Sequence, residues 1–574
     1  MKLILLFLAA TLSVASAQAP TTGPQASEQA VSTPAATLRY IHASWDVLTR
    51  SMSDCNSLVD PKVRTLPVLY LPYGFPEPAA VAAAQRKCHV RVLHLPRPIG
   101  KIGDLQPQDL DAEGLLYLPH PYIVPGGRFN EMYGWDSYFI LLGLEADHRA
   151  RLARGIVDNF LFEIENYGGV LNANRTYYLT RSQPPFLTSM IRAVIENPRS
   201  FPDTVAGRTA AQEWLERAYT LAEKDYSTWT RPEHRAGNTR LARFWDYGSG
   251  PVPEMADASH YYPDVIRSLL QHPSPEAAGF LVKGSEHPEA PEAARLKHTS
   301  CDVHASVVCM RAWYGGYRLS KAFYQGDRAM RESGFDTSDR FGPFSGATEN
   351  YAPVGLNSLL YRYERDLEHF AYLLGKGREA QLWDRRAQAR NYAIHRYLWR
   401  AREGVFADWD FVHARPSHYA FITSLYPLWA GVASRKEAKS IETKLDLFER
   451  PGGLATSTRD TGLQWDYPYG WAPTNWIAVA GLDATGYRSD AGRIAAHWNH
   501  TIDRAFAQTG TIREKYNVVT GNADVVVTTG YKQNVIGFGW TNGVYLKMRQ
   551  IVHEEAARAA FGHALQPPQT AARQ

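Results

Sequence analysis

The 574-residue sequence has little of several features that mark particular classes of protein. Its formal net charge is only +4 and no long basic run occurs, so nothing in it predicts binding to nucleic acid or another polyanion. Polar and charged residues interrupt every hydrophobic stretch after the extreme N-terminus, and we therefore expect no membrane-spanning helix. The 45% hydrophobic content excludes wholesale disorder, and the length predicts one large domain or two ordinary ones.

Cysteine is also scarce, with four residues in the whole chain: Cys55, Cys88, Cys301 and Cys309. Their positions suggest pairing of Cys55 with Cys88 and of Cys301 with Cys309, although four cysteines allow three connectivities. No Cys-x-x-Cys motif occurs, and His553 lacks the second histidine of a His-Glu-x-x-His site. We therefore predict no metal and no cofactor.

The ends of the chain differ in composition from its body. Residues 1–17 have the pattern of a secretory signal peptide, with a basic Lys2, a short apolar region and the small residues Ala15-Ser16-Ala17. We predict a periplasmic or secreted protein without a membrane anchor after signal removal. Residues 18–37 are rich in Ala, Pro, Thr, Ser and Gln and are predicted to be a disordered lead-in, as is the tail 566–574. One domain at 38–565 lies between them.

The body of the chain carries the helical period. Apolar residues recur at steps of three and four from Leu356 to Leu374, and Gly375 then ends the run. Residues 380–398 repeat the pattern, and Thr209 with Gln212 resembles a capping box that opens a helix over 214–222. Residues 525–529 are the clearest strand candidate. The sequence predicts an all-α fold with long loops.

Two segments, 125–139 and 464–473, combine Gly and Pro with Trp, Tyr and carboxylates. Segments that break local rules in this way are often functional loops. A rigid aromatic turn at the start of a helix explains the residues equally well. The 15 Trp, 32 Tyr and 22 Phe are compatible with sugar binding, but a large core also needs aromatic side chains.

Both segments resemble the signature motifs of the trehalases, glycoside hydrolase family 37. Further blocks follow in the order of that family, at 172–185, 331–336, 513–517 and 537–543, and the resemblance runs from about Leu95 to His553. It implies an (α/α)6 barrel, a toroid in which an inner and an outer ring of six helices carry long active-site loops. Residues 38–565 are then the catalytic domain.

The resemblance also implies hydrolysis of α,α-trehalose with inversion of configuration. Asp336 matches the general acid and Glu514 the general base, which require carboxyl groups roughly 6.5–9.5 Å apart with a water between the base and the sugar. Asp336 must carry a proton when the substrate arrives, so we expect burial or a nearby carboxylate to raise its pKa. The expected partner is a small disaccharide, and the expected state is a monomer.

Further residues match family positions that hold the sugars, and their carboxylate, amide, guanidinium and indole groups suit hydroxyl binding and stacking. They are Arg128, Trp135, Asp136, Asn172, Arg181, Ser182, Gln183, Glu254 and Gly334. Arg128 could instead form an ion pair with Glu131. Trp465 and Trp471 either line the pocket or pack the loop, with neither reading favoured.

The sequence departs from the family in two places. Val252 stands where the family has an arginine, and Arg243 is a candidate for compensation. At 522–531, valines and threonines replace a glycine-rich lid, and Gly530 replaces its glutamate. These departures leave two alternatives: hydrolysis of a related α-glucoside, or a periplasmic sugar-binding protein with weak or lost catalysis.

Overall fold

The computed structural model describes residues 34–59, 66–255, 260–287, 308, 311–529 and 533–564. Helices make up most of the regular structure in these ranges, which confirms the all-α prediction. They are α1 Pro34–Leu48, α2 Cys55–Leu58, α3 Ala79–Cys88, α4 Asp136–Ala146, α5 Ala150–Asn166, α6 Leu187–Glu196, α7 Val205–Trp229, α8 Tyr261–Gln271, α9 Pro275–Gly279, α10 Lys321–Glu332, α11 Val354–Leu373, α12 Gly377–Tyr397, α13 Tyr426–Ala430, α14 Arg435–Glu442, α15 Ala472–Ala484, α16 Arg488–Thr509 and α17 Gly539–Ala564.

The strands are two to four residues long and form small sheets between the helices. They are β1 Thr49–Arg50, β2 Val68–Leu71, β3 Arg91–His94, β4 Leu115–Leu116, β5 Tyr122–Ile123, β6 Leu281–Lys283, β7 Tyr317–Leu319, β8 Tyr351–Ala352, β9 Trp399–Arg400, β10 Val405–Phe406, β11 Trp409–Asp410, β12 Arg415–Pro416, β13 Glu449–Arg450, β14 Gly453–Leu454, β15 Tyr469–Trp471 and β16 Lys515–Asn517. Only the sheet β3-β2-β4 is parallel; the other pairings among the described strands are antiparallel.

Six helices form a closed inner ring, in which each one packs against the next. The order around the ring is α4, α6, α11, α13, α15 and α17, and α17 returns to α4. Nearly every residue of α4 and α15 is buried, as expected for helices that are surrounded on all sides. This ring confirms the (α/α)6 barrel, and none of the described helices is both long and apolar enough to cross a bilayer.

The outer helices bury one face against the ring. Helix α5 contacts α4 and α6, α7 contacts α6 and α11, α12 contacts α11, and α16 contacts α15 and α17. The ring closes where Gly143 of α4 meets Gly543 of α17, because a Cβ on either glycine would collide with the backbone of the other helix. The segments that lead into the inner helices carry most of the candidate site.

The helix predictions for 356–398 are confirmed. Helix α11 ends at Leu373, and Gly375 follows with a positive φ of 71°, which suits glycine at a helix end. The predicted capping box is wrong. Helix α7 begins at Val205, and Thr204 is its N-cap, accepting a hydrogen bond from the Gly207 N–H, while the Thr209 hydroxyl donates to the Val205 carbonyl inside the helix.

Three other predictions can be compared with the structure. The strand predicted at 525–529 is wrong, because the segment has no regular structure. Residues 34–37, predicted to be part of the disordered lead-in, belong to α1, and the buried Thr37 donates to Asp503. The Cys55–Cys88 disulfide is present, with 5.3 Å between its Cα atoms, whereas Cys301, Cys309 and the proposed signal lie outside the described residues.

Candidate active site

Asp336 lies in the loop after α10, beside several charged side chains. Its carboxylate is 24% exposed, and Oδ2 is 3.6 Å from an Arg331 guanidinium nitrogen. Burial raises the pKa of Asp336 to about 7, helped by the negative charge of Glu254 and opposed by the cations of Arg331 and Arg181. A large fraction of the carboxyl groups therefore carries a proton near neutral pH, which is the state that a general acid requires.

Glu514 lies just before β16, and its neighbours fix both its backbone and its carboxylate. The backbone N–H donates to the Val535 carbonyl at 3.0 Å, and the carbonyl accepts from the Trp540 indole at 3.2 Å. Carboxylate Oε2 lies 2.6 Å from the ammonium of Lys515. The side chain is 16% exposed, so it remains accessible to a water molecule.

Asp136 lies near both of these carboxylates. It is the first residue of α4 and is 4% exposed. Burial raises the pKa of Asp136 well above its usual value, and the negative charges of Glu514 and Asp336 raise it further. The two candidate catalytic groups therefore belong to one electrostatic cluster, although they are separated by 178 positions and three ring helices in the chain.

Gln464 connects the segments that carry the two groups. Its side-chain Nε2 donates to the backbone carbonyl of Asp336, and its Oε1 accepts from the Lys515 ammonium at 3.0 Å. Its own carbonyl accepts from the Trp471 indole at 2.9 Å. One amide side chain thus contacts the acid's backbone and the lysine beside the base.

Aromatic rings surround these hydrogen bonds of Gln464. Trp465 and Trp471 stack with ring centroids 3.8 Å apart and an angle of 8° between their planes. Trp135 packs against Phe335, Trp465 and Trp540 at 5.5 to 5.8 Å. Trp465 and Trp471 are both buried at 2% exposure or less, which favours the packing reading that the sequence left open.

Gly334 allows this packing. Its φ is +76°, and a Cβ there would lie 2.9 Å from Cε2 and Cζ2 of Trp135. The predicted role of Gly334 in sugar binding stays a prediction. Its observed part is to let the acid's loop turn against the Trp135 indole.

Arg181 and Glu254 form a buried ion pair that faces Asp336. The Arg181 guanidinium contacts Glu254 and lies 3.6 Å from Asp246, over the face of the Tyr178 ring. In the part of the chain that the structure describes, Nε and one terminal nitrogen of Arg181 and one oxygen of Glu254 have no hydrogen-bond partner. Buried polar atoms normally have partners, so these atoms are suited to receive sugar hydroxyls.

The amide and hydroxyl residues of the 172–185 block hold the loops together. Asn172 donates to the carbonyl of Ser182 at 3.4 Å, and Ser182 donates to the Val170 carbonyl at 2.6 Å. The side-chain oxygen of Gln183 accepts a hydrogen bond from the backbone N–H of Trp135 at 3.0 Å. The structure thus brings these residues close to Trp135, while their contacts with sugars stay a prediction.

Arg128 is exposed, and its guanidinium lies 4.9 Å from the Phe129 ring centroid. The alternative partner, Glu131, is buried and bound instead by Arg175 at 2.7 Å. Phe129 packs against Phe538, and Gly126 of the same loop lies against Val535, whose carbonyl the base's N–H contacts. The loop of Arg128 therefore lies beside the Glu514 segment, and its guanidinium is open to solvent.

The two departures from the family have structural counterparts. Val252 is fully buried in a separate apolar cluster, and Arg243 does not replace the missing guanidinium, because it binds the Glu233 and Glu349 carbonyls. In the substituted lid, Tyr469 contacts both the N–H and the carbonyl of Val526, and the Thr528 N–H donates to Gly462. Gly530 and Tyr531 lie outside the described residues.

Sequence reasoning missed several residues of this site. Four of them lie within or next to the blocks that resemble the family, but no role was assigned to any of the four: Gln464, Lys515, Arg331 and Trp540. Gln464, for example, contacts residues that are 51 and 128 positions away, and contacts over such distances leave no local pattern in the sequence. The blocks themselves were the only signal that could have found them.

Comparison with known proteins places the chain among relatives of one kind. It matches the Trehalase family over residues 13–552. It is 37% identical to a cytosolic neutral trehalase of Beauveria bassiana, over 76% of this chain and 59% of that protein. It is 33% identical to one of Emericella nidulans, over 90% of this chain and 72% of that protein. The solved neutral trehalase of Saccharomyces cerevisiae has a TM-score of 0.72 and 30% identity, covering 92% of this chain and 98% of that one.

These relatives contradict one prediction. They are named cytosolic neutral trehalases, and the predicted periplasmic or secreted localisation is contradicted by those names. The comparison likewise gives no support for a signal peptide. The prediction rested only on a short apolar run followed by small residues at the N-terminus.

Proposed function

The chain belongs to the trehalase family, and we propose that it hydrolyses α,α-trehalose to two glucose molecules with inversion at the attacked carbon. Asp336 is the general acid and Glu514 the general base. The observation that supports this assignment is the position of Asp136, whose pKa is raised by burial and by the charges of both Glu514 and Asp336.

The reaction uses the two groups on opposite sides of the bond. Asp336 gives its proton to the glycosidic oxygen, the bond from that oxygen to one anomeric carbon breaks, and the first glucose departs. Glu514 takes a proton from a water molecule, whose oxygen bonds to the same carbon from the opposite face. One glucose is therefore released as the β-anomer and the other as the α-anomer.

Neighbouring groups prepare the site for a neutral, hydroxyl-rich substrate. Burial raises the pKa of Asp136 well above its usual value, which favours the protonated carboxyl as a hydrogen-bond donor. Arg181 and Glu254 offer buried donors and an acceptor to vicinal hydroxyls. The contact of Trp135 with a sugar ring stays a prediction, because its indole is only 2% exposed.

The comparisons do not favour the two alternatives. A sugar-binding protein without catalysis has no use for an acid with a raised pKa beside a second accessible carboxylate. The related α-glucoside was inferred from Val252 and the substituted lid. The hydrogen bonds of Val252 and Val526 join them to Tyr262 and Tyr469, not to Asp336 or Glu514. Both alternatives are outcomes of the same experiment.

The test is glucose release from trehalose and a panel of other glucose disaccharides, with the anomer followed by proton NMR. Asp336→Asn and Glu514→Gln should each lower kcat by about 10²–10⁴-fold, because each removes one proton transfer. The exposed Asp203→Asn and Glu216→Gln are matched controls and should leave the rate unchanged. Full activity in either catalytic variant would refute that residue's role, and cleavage of another disaccharide but not trehalose would refute the substrate.

A further inference from the structure

Lys515 is a fully buried cation beside the proposed base. Burial of a lysine is costly unless its ammonium has partners, and each of its three N–H donors has one within reach. They are Glu514 Oε2 at 2.6 Å, Gln464 Oε1 at 3.0 Å and the Gln533 carbonyl at 3.5 Å. The ammonium also lies 4.8 Å from the centroid of the Trp471 ring.

The strand register fixes this arrangement. In the antiparallel pair β15–β16, Trp471 lies opposite Lys515. The Trp471 indole then donates to the carbonyl of Gln464 at 2.9 Å, which holds the backbone of Gln464 next to the ammonium. The lysine and the glutamine are therefore placed by the same two strands.

The amide of Gln464 has only one orientation that satisfies both of its contacts. Its oxygen must face the Lys515 ammonium, which has donors only, and its nitrogen must face the Asp336 carbonyl, which is an acceptor only. The result is a continuous chain of hydrogen bonds from the Glu514 carboxylate through Lys515 and Gln464 to the backbone of Asp336.

We propose that Lys515 and Gln464 are positioning residues that set the distance and orientation between the base and the acid. This proposal rests on the proposed function. Inverting hydrolysis needs room for one water between the base and the anomeric carbon, so the separation of the two carboxyl groups must be held closely. Misplacement of a reacting group by about 1 Å can cost on the order of 10²-fold in rate.

The experiment compares Lys515→Met and Gln464→Met on two substrates, trehalose and α-D-glucosyl fluoride. Fluoride leaves without a proton, so its hydrolysis needs the base but not the acid. Lys515→Met should lower kcat by about 10²-fold on both substrates with KM changed less than about threefold, because the base is displaced while the sugar contacts remain. Gln464→Met should lower kcat on both substrates by a smaller factor.

The pH profile separates a positioning role from a merely structural one. Lys515 contacts the Glu514 carboxylate, and Asp136 lies within reach of the charges of both Glu514 and Asp336. Without the lysine cation, the acidic limb of kcat/KM on the fluoride should move to higher pH. Lys515→Arg keeps the cation and should restore that limb, which also keeps the test informative if the methionine variant folds poorly.

The controls are Lys436→Met on α14 and Gln388→Met on α12, two exposed side chains whose replacement should leave both rates unchanged. Unchanged kcat in both Lys515→Met and Gln464→Met would overturn the proposal. A lower kcat of Lys515→Met with no movement of the acidic limb of kcat/KM against pH would overturn it as well. A failure of the proposed function looks different: Asp336→Asn and Glu514→Gln would then cleave trehalose at the parent rate. If the function holds, Asp336→Asn spares the fluoride while Glu514→Gln does not.

Discussion

Gly334→Ala tests whether the acid's loop depends on close contact with Trp135. The substitution has two costs. A non-glycine residue at a φ of +76° costs about 1–2 kcal/mol. The new Cβ would lie 2.9 Å from two indole carbons, and relief of such a clash in a packed core costs about 1–3 kcal/mol more.

The matched control is Gly375→Ala. Gly375 has a nearly identical φ of +71°, but no atom lies within 4 Å of the added Cβ. The control should therefore lose about 1–2 kcal/mol of unfolding free energy, and Gly334→Ala should lose about 2–5 kcal/mol. The difference between the two variants isolates the contact with the indole.

Urea unfolding followed by tryptophan fluorescence measures both free energies. Trehalose kinetics on the same proteins should show a lower kcat/KM for Gly334→Ala alone, because a displaced Trp135 moves the loop that bears Asp336. Equal destabilisation of the two variants, with full activity in both, would refute the reasoning.

Three further predictions concern charge. Arg331→Gln removes a cation that lowers the pKa of Asp336, so the basic limb of trehalose kcat/KM against pH should move above the value set by a pKa of about 7; an unmoved limb contradicts this. Asp336→Asn should raise the thermal midpoint at pH 8 but not at pH 4. The pKa of Asp336 is higher in the folded protein than in the unfolded chain. The free energy of unfolding of the parent protein therefore falls as the pH rises from about 4 to about 7. Arg181→Met leaves Glu254 buried without its cation and should lower trehalose kcat/KM by about 10²-fold while destabilising the fold by about 3–5 kcal/mol; the exposed Arg208→Met should do neither.

Much of the helical body follows from local sequence. The apolar period from Leu356 to Leu374 gives a helix because every third or fourth residue faces the core, and Gly375 ends it through its positive φ. The N-terminus of α7 failed, since Thr204 and Thr209 are equally good caps in isolation. In the structure Thr204 is the cap, because its hydroxyl accepts from the N–H of Gly207, which is packed against Pro202.

The site was less accessible to local reasoning. Asp336 and Glu514 came from the resemblance alone, and no periodicity could have chosen them among 58 acidic residues. Residues 525–529 have strand-forming side chains, but the phenol of the distant Tyr469 uses the backbone groups of Val526 that a neighbouring strand would need. The roles of Gln464 and Lys515 depend on contacts across the barrel, which sequence spacing does not encode.

The meeting of Gly143 with Gly543 has a consequence for biogenesis. The first and last members of the inner ring are 400 positions apart, so a ribosome must finish nearly the whole chain before this junction can form. Nascent chains lacking α17 would expose the apolar side of α4 to the solvent. The inner ring of helices would close only after α17 has been synthesised. Stop codons placed before residue 539 should therefore yield insoluble products rather than shorter active ones.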